Sequence, residues 1–233
     1  MRLVNPRWIL LAVFIFTTPL AAKNRNGELA PPEVKKQQDA LMKAMIEGNK
    51  RHASHRTLKS GLSKIMVVSC ADSRVPPEVI FNMKPGELYT NRAFGTIVDK
   101  VILGSLEYGA EILDCRVLVV LGHTKCTALK EAIGEHAHPR TEWASLNKKS
   151  LYEQLEPAVA EVEESNIHLK AQTDKELEGE ALLDAVVKSN VLHTMHAIRE
   201  QSPLLWQLEQ DDLLRIVGAV YNMETGKVEW IKE

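Results

Sequence analysis

Two short apolar runs, each broken by metal-binding side chains, constrain this chain more than any other feature. Ile65-Met-Val-Val-Ser69 gives way to Cys70-Ala71-Asp72-Ser73-Arg74, and Arg116-Val-Leu-Val-Val-Leu121 gives way to Gly122-His123-Thr124-Lys125-Cys126. Short runs of aliphatic and β-branched residues bounded by polar turns read as buried strands. Between them, apolar residues at 98, 101, 102, 106, 110 and 113 recur at helical spacing. The order strand, helix, strand predicts a parallel pair, with Val98–Leu113 as the crossover between the two. Parallel strands end on the same side of a sheet, and open α/β sheets place their sites at that edge. The two polar breaks should therefore meet.

The rest of the chain extends this frame. Glu33 to about Arg56 carries Leu41, Met45 and Ile46 at helical spacing and reads as an amphipathic helix, with His52 and His55 near its cationic end. Pro76-Pro77 suits the first turn of a short helix through Phe81. Lys84–Gly95 holds a Pro-Gly turn and then an extended stretch at Leu88–Asn91. Thr124–Gly134, Thr141–Lys170 and Lys175–Gln201 read as helices, with a turn near Gln172–Asp174. Leu213–Tyr221 is a third strand candidate, and Thr225-Gly226 turns it into Lys227–Ile231 as a hairpin. The predicted fold class is α/β: a central, mainly parallel β-sheet flanked by helices, with an antiparallel edge hairpin at the C-terminus.

The N-terminus has a separate character. Arg2 and Arg7 precede the apolar run Trp8–Phe16, which ends in small residues at Ala21-Ala22. That is the pattern of a secretory signal peptide over residues 1–22, short for a membrane span of roughly 20 apolar residues, with an uncleaved N-terminal anchor as the alternative. Residues 23–32 read as a polar arm, and residues 33–233 as one domain. The expected location is periplasmic or secreted, with no stable membrane anchor once the leader is cleaved. Removing the leader leaves 27 basic side chains against 31 acidic ones, a formal −4. This mild acidity offers no basic face for nucleic acid. Three cysteines, Cys70, Cys115 and Cys126, leave two arrangements open: one disulfide with a spare thiol, or two metal-bound thiolates with a buried spare.

The chemistry of the two breaks favours a metal. Cys70 on one loop, with His123 and Cys126 on the other, supplies two thiolates and an imidazole, the donor set of some catalytic zinc sites. A helix starting near Cys126 would favour its thiolate form. Taken alone, Cys-x-Asp or His-x-x-Cys is an ordinary turn or helix start. Asp72 has two possible roles. As a fourth ligand it would close the metal. Paired with Arg74 in a bidentate fork it would be held off the metal as a hydrogen-bond acceptor that aims the nucleophile. Zinc with two thiolates and a neutral imidazole carries no net charge, so activity should favour alkaline pH.

These residues resemble the β-class carbonic anhydrases, which carry Cys-x-Asp-Ser-Arg after one strand and His-x-x-Cys after a later one. Further matches follow in order: Arg74–Phe81, Pro85-Gly-Glu-Leu-Tyr89, Ser105–Leu113 and the closing Gly218–Trp230. The resemblance spans roughly residues 33–233. It implies one zinc ion per chain on Cys70, His123 and Cys126, with Asp72 as fourth ligand or orienting acceptor and Arg74 as its partner. It implies hydration of carbon dioxide to bicarbonate and a proton through zinc-bound hydroxide. It also implies a homodimer or homotetramer, with the N-terminal helix packed on a partner subunit.

Three departures from the family pattern stand out. Arg92-Ala93-Phe94-Gly95-Thr96 replaces the usual Arg-Asn-Ala-Gly-Asn, Thr127 replaces a glycine after the second cysteine, and Val67 stands where some members have a regulatory tryptophan. Phe94 and Thr127 keep open a related hydrolase acting on carbonyl sulfide or carbon disulfide. A permanently closed, non-enzymatic zinc protein is the other alternative. His193 and His196 are expected to be surface or packing residues, His136 and His138 loop residues with possible shuttle duty, and Cys115 a buried hydrophobe.

Overall fold

The computed structural model describes residues 32–54 and 63–232. The expected leader at 1–22, most of the arm at 23–32, and His55 lie outside these residues. The chain divides into two compact units, 1–57 and 58–233. In the first, α1 (Pro32–Ser54) carries Glu33 in its first turn and Arg51 and His52 in its last, residues whose charges complement the helix dipole. Its apolar positions Leu41, Met42, Met45 and Ile46 are exposed.

In the second unit the apolar runs become strands as expected. β1 (Ile65–Cys70) leads through α2 (Pro77–Ile80) to β2 (Tyr89–Ala93). α3 (Lys100–Glu111) then leads to β3 (Val117–His123), which runs into α4 (Thr127–Ala137). Two long helices follow, α5 (Leu146–Thr173) and α6 (Gly179–Gln201), then α7 (Pro203–Gln210) and the pair β4 (Arg215–Tyr221) and β5 (Val228–Trp230). The strand order is β2-β1-β3-β4-β5, parallel except for the β4–β5 pair. None of the described helices is long and apolar enough to cross a membrane.

Two elements differ from the sequence reading. The extended stretch before Gly95 is a full parallel strand, β2, at the sheet edge. Consequently α3 is not the crossover from β1 to β3; it carries the chain from β2, past β1, to β3. Helix α7 is an addition. Ser202 caps it, accepting from the Leu205 amide at 3.2 Å, and Pro203 opens its first turn.

The alternation of β1 explains the layering. Met66, Val68 and Cys70 face one side and join the main core with residues from α3 to α7, while Val67 faces the other side with Val119, Leu121 and Ala219. Helix α6 lies so close to β3 that a Cβ on Gly122 would come within 2.7 Å of Val191. The residue before His123 is glycine because the helix backbone and its valines occupy that space.

Candidate metal centre

The chain order reverses at β1, since β2 lies on one side of it and β3 on the other. Ligand sites of open α/β sheets form at the strand ends beside such a reversal. Cys70 is the last residue of β1 and His123 the last of β3, and the register Ser69↔Leu121 brings the two ends side by side. Cys126 caps α4 three residues after His123. The intervening Lys125 has φ 56°, a left-handed residue that reverses the chain between the two donors. The donor atoms of Cys70, His123 and Cys126 all lie within 4.8 Å of one another, and all three residues are buried.

Each donor is prepared by its surroundings. His123 Nδ1 lies 2.9 Å from the Thr124 carbonyl oxygen. A carbonyl only accepts, so Nδ1 carries the proton and Nε2 presents a lone pair. That Nε2 is buried and, among the described residues, has no hydrogen-bond partner. A buried acceptor left unsatisfied is costly, and a metal ion satisfies it. Cys70 receives the Gly95 amide at 3.4 Å. Its thiol is pulled down to about 4, first by hydrogen bonding with Cys126 and further by His123 and the amides of Gly95 and Asp72. The same bond pushes Cys126 up, with burial adding to the rise. A cation bound between them would favour the thiolate form of both sulfurs. All three cysteines are free and buried, so the disulfide arrangement is not adopted. Two soft sulfurs, an imidazole and an orphaned Nε2 together fit zinc.

Asp72 does not join the cluster of three. Its carboxylate is gripped by Arg74, with Nε donating to Oδ1 at 2.9 Å and Nη2 to Oδ2 at 2.5 Å. The Arg74 amide also donates to Oδ1 at 2.9 Å. These bonds hold the Asp72 carboxyl well below the usual carboxylate range. Arg74 Nη2 reaches the Lys125 carbonyl at 3.3 Å, linking the two loops that carry the sulfurs. Arg92 completes the frame by donating to the Cys70 carbonyl at 2.9 Å and the Asp72 carbonyl at 2.5 Å. The sequence marks Arg92 as a retained position but gives no sign of that bracing.

The histidines set aside stay apart from the centre. His136 pairs with Glu156 at the far end of α4, about 15 Å along the helix from Cys126 at 1.5 Å per residue. It is a helix residue, not a loop residue. His193 pairs with Glu161 and His196 with Glu200. Cys115 is buried, its thiol against the Ser63 carbonyl. Phe94 and Thr127 are both exposed.

A sequence model described as carbonic anhydrase matches residues 65–228, which includes both strand-end motifs and the closing hairpin. The chain belongs to the β-class carbonic anhydrase family. Carbonic anhydrase 2 of Mycobacterium tuberculosis is 27% identical over 201 residues, covering 81% of this chain and 90% of that protein. The carbonic anhydrase of Mycolicibacterium smegmatis is 27% identical over 203 residues, covering 82% and 91%. Among solved structures, a β-carbonic anhydrase of Coccomyxa in complex with acetazolamide superposes with a TM-score of 0.59 at 24% identity, covering 87% of this chain and 88% of that one. One of two tetrameric β-carbonic anhydrases from Sordaria macrospora gives 0.63 at 17% identity, covering 86% and 96%. These superpositions establish the β-carbonic anhydrase fold for this sheet and its helices.

Proposed function

We propose that this chain catalyses the reversible hydration of carbon dioxide to bicarbonate and a proton, with one zinc ion held by Cys70, His123 and Cys126. The observation that carries the reading is the convergence of these three donors beside an Asp72 carboxylate already committed to Arg74. Zinc bound there supplies Lewis acidity, lowering the pKa of water enough to furnish a hydroxide nucleophile.

The side chains divide the remaining work. Asp72, ionised and forked onto Arg74, keeps lone pairs that accept a hydrogen bond from the attacking water and so orient it. Arg74 holds that carboxylate away from the donor cluster and compensates its charge. Arg92 fixes the backbone on either side of Ala71, which sets the spacing between sulfur and carboxylate. The Thr124 carbonyl fixes the His123 tautomer. The fork on Asp72 speaks against a protein whose carboxylate permanently closes the metal. The relatives named above are carbonic anhydrases, which favours carbon dioxide over carbonyl sulfide or carbon disulfide as substrate.

The family relation and the tetrameric neighbour support an oligomer, which we take to be a homodimer or homotetramer. The exposed apolar stripe of α1 (Leu41, Met42, Met45 and Ile46) supports a partner subunit covering that helix. The leader pattern at residues 1–22 supports a periplasmic or secreted enzyme. Stopped-flow hydration of carbon dioxide, with zinc content measured in parallel, tests the central reading. Wild type should be active with one zinc per chain. Asp72→Asn should keep the zinc and lose about 100-fold or more of the rate. Equal rates in the two proteins would overturn the role given to Asp72.

A further inference from the structure

Asn190 and Thr194 lie one turn apart on α6, both buried, at 2% and 5% exposure. Their hydrogen bonds go to the backbone of the turn that follows β2. Asn190 Nδ2 donates to the Gly95 carbonyl at 2.7 Å and to the Thr96 carbonyl at 3.4 Å. Thr194 Oγ1 donates to the same Thr96 carbonyl at 2.8 Å. The turn in between presents the Gly95 amide to Cys70 Sγ at 3.4 Å. Two side chains of a distant helix are thus one short turn away from a metal-binding sulfur.

That turn does not hold its shape by itself. Gly95 has φ 88° and Thr96 has φ 57°. A β-branched residue in the left-handed region is a rare conformation and persists only where the surroundings over-determine it. Here they do. Thr96 is 2% exposed and its hydroxyl donates to the Leu121 carbonyl at 3.3 Å. A Cβ on Gly95 would come within 2.8 Å of Leu155 on α5 and 3.4 Å of Ala128 on α4. α4 and α5 wall the turn in, and the two α6 side chains take both of its buried carbonyls.

We propose that Asn190 and Thr194 are positioning residues for the metal centre: they lock the Gly95–Thr96 turn so that its amide is aimed at the Cys70 sulfur. The inference rests on the reading of Cys70 as a zinc ligand. An N–H donor draws charge from a thiolate and fixes its direction, which is how outer residues tune a metal site. The competing explanation is packing alone, in which α6 merely satisfies two buried carbonyls.

Replacing zinc by cobalt(II) in the full chain separates the two, because the thiolate-to-cobalt charge-transfer band reports the sulfur directly. Losing the amide donor raises the energy of the sulfur lone pair, so the band should move to longer wavelength in Asn190→Leu and in Thr194→Val. Metal affinity, measured by chelator competition, should weaken about 10-fold. Thr194→Ser keeps the hydroxyl and should retain the wild-type band and affinity. If Asn190→Leu fails to fold, Thr194→Val carries the test, since it exchanges one hydroxyl for a methyl at nearly constant volume. A wild-type band and affinity in Thr194→Val, with only a lower melting temperature, would overturn the inference while leaving the metal reading intact. Absence of any thiolate band in the unaltered protein would overturn the metal reading, and the inference with it.

Discussion

Arg74 holds the Asp72 carboxylate at both oxygens, with Nε on Oδ1 at 2.9 Å and Nη2 on Oδ2 at 2.5 Å. In the proposed mechanism this fork keeps the carboxylate for the water and off the metal. Arg74→Gln should free Asp72 to swing toward the donor cluster. We expect zinc to be retained and carbon dioxide hydration to fall about 100-fold or more. Zinc analysis beside stopped-flow rates checks this, and an unaltered rate would show that the fork is only a loop brace.

The same pair sets a pH dependence. The Arg74 hydrogen bonds depress the folded-state pKa of Asp72 below its unfolded value. A depressed carboxylate contributes stability that is present above the unfolded pKa, about 4, and is lost as pH falls through the folded value. The stability difference between wild type and Asp72→Asn should therefore be constant from pH 6 to 8 and shrink below about pH 4. Urea unfolding at a series of pH values measures it. A difference that grows on acidification would contradict the assignment.

Removing one donor should empty the site. Cys70→Ser, Cys126→Ser and His123→Ala each leave two donors of three, too few for a tight zinc site. Metal content in each variant should fall to about a tenth of an ion or less per chain. The sheet should survive, since the β1–β3 pairing runs from Ile65↔Val117 to Ser69↔Leu121 and uses none of these three residues. Far-ultraviolet circular dichroism with metal analysis checks both halves. Full zinc occupancy in any one of the three variants would remove that residue from the ligand set.

Gly95 tests the packing around the site. A methyl there meets Leu155 at 2.8 Å and must also adopt φ 88°. Gly95→Ala should lower stability by about 2–4 kcal/mol from overpacking and left-handed strain combined. Gly86 has the same φ of 88° with nothing within 4 Å of an added Cβ. Gly86→Ala should therefore cost only the strain, about 1–2 kcal/mol. Denaturant melts of the two variants compare directly, and equal losses would contradict the crowding at Gly95.

The architecture was legible where the sequence pattern is strong. Ile65–Ser69 and Arg116–Leu121 announced themselves because both strands are buried on two faces and read as continuous apolar runs. The convergence of Cys70, His123 and Cys126 followed, because parallel strand ends must share an edge. β2 was harder to see. Its residues Tyr-Thr-Asn-Arg-Ala are at most half-buried, so no alternation marks them, and by pattern alone the helical run after them reads as a crossover from β1. The short helix α7 has a Ser-Pro start at 202–203 that a closer reading of caps would find. Asn190 and Thr194 left no local signal at all. Their partners are over 90 residues away, and only the docking of α6 brings them together.

The leader gives a further expectation. If residues 1–22 form a signal peptide, expression of the full chain in a Gram-negative host should yield protein in the periplasmic fraction, with an N-terminus at or near Lys23. Intact-mass measurement on that fraction checks the cleavage. Full-length protein retained in the membrane fraction would instead identify the segment as an anchor.

Zinc-edge X-ray absorption on the purified protein addresses the centre itself. The account predicts two sulfur neighbours near 2.3 Å, with one imidazole nitrogen and one further light atom near 2.0–2.1 Å. A first shell with fewer than two sulfurs, or a protein that cannot be loaded with zinc, would contradict it.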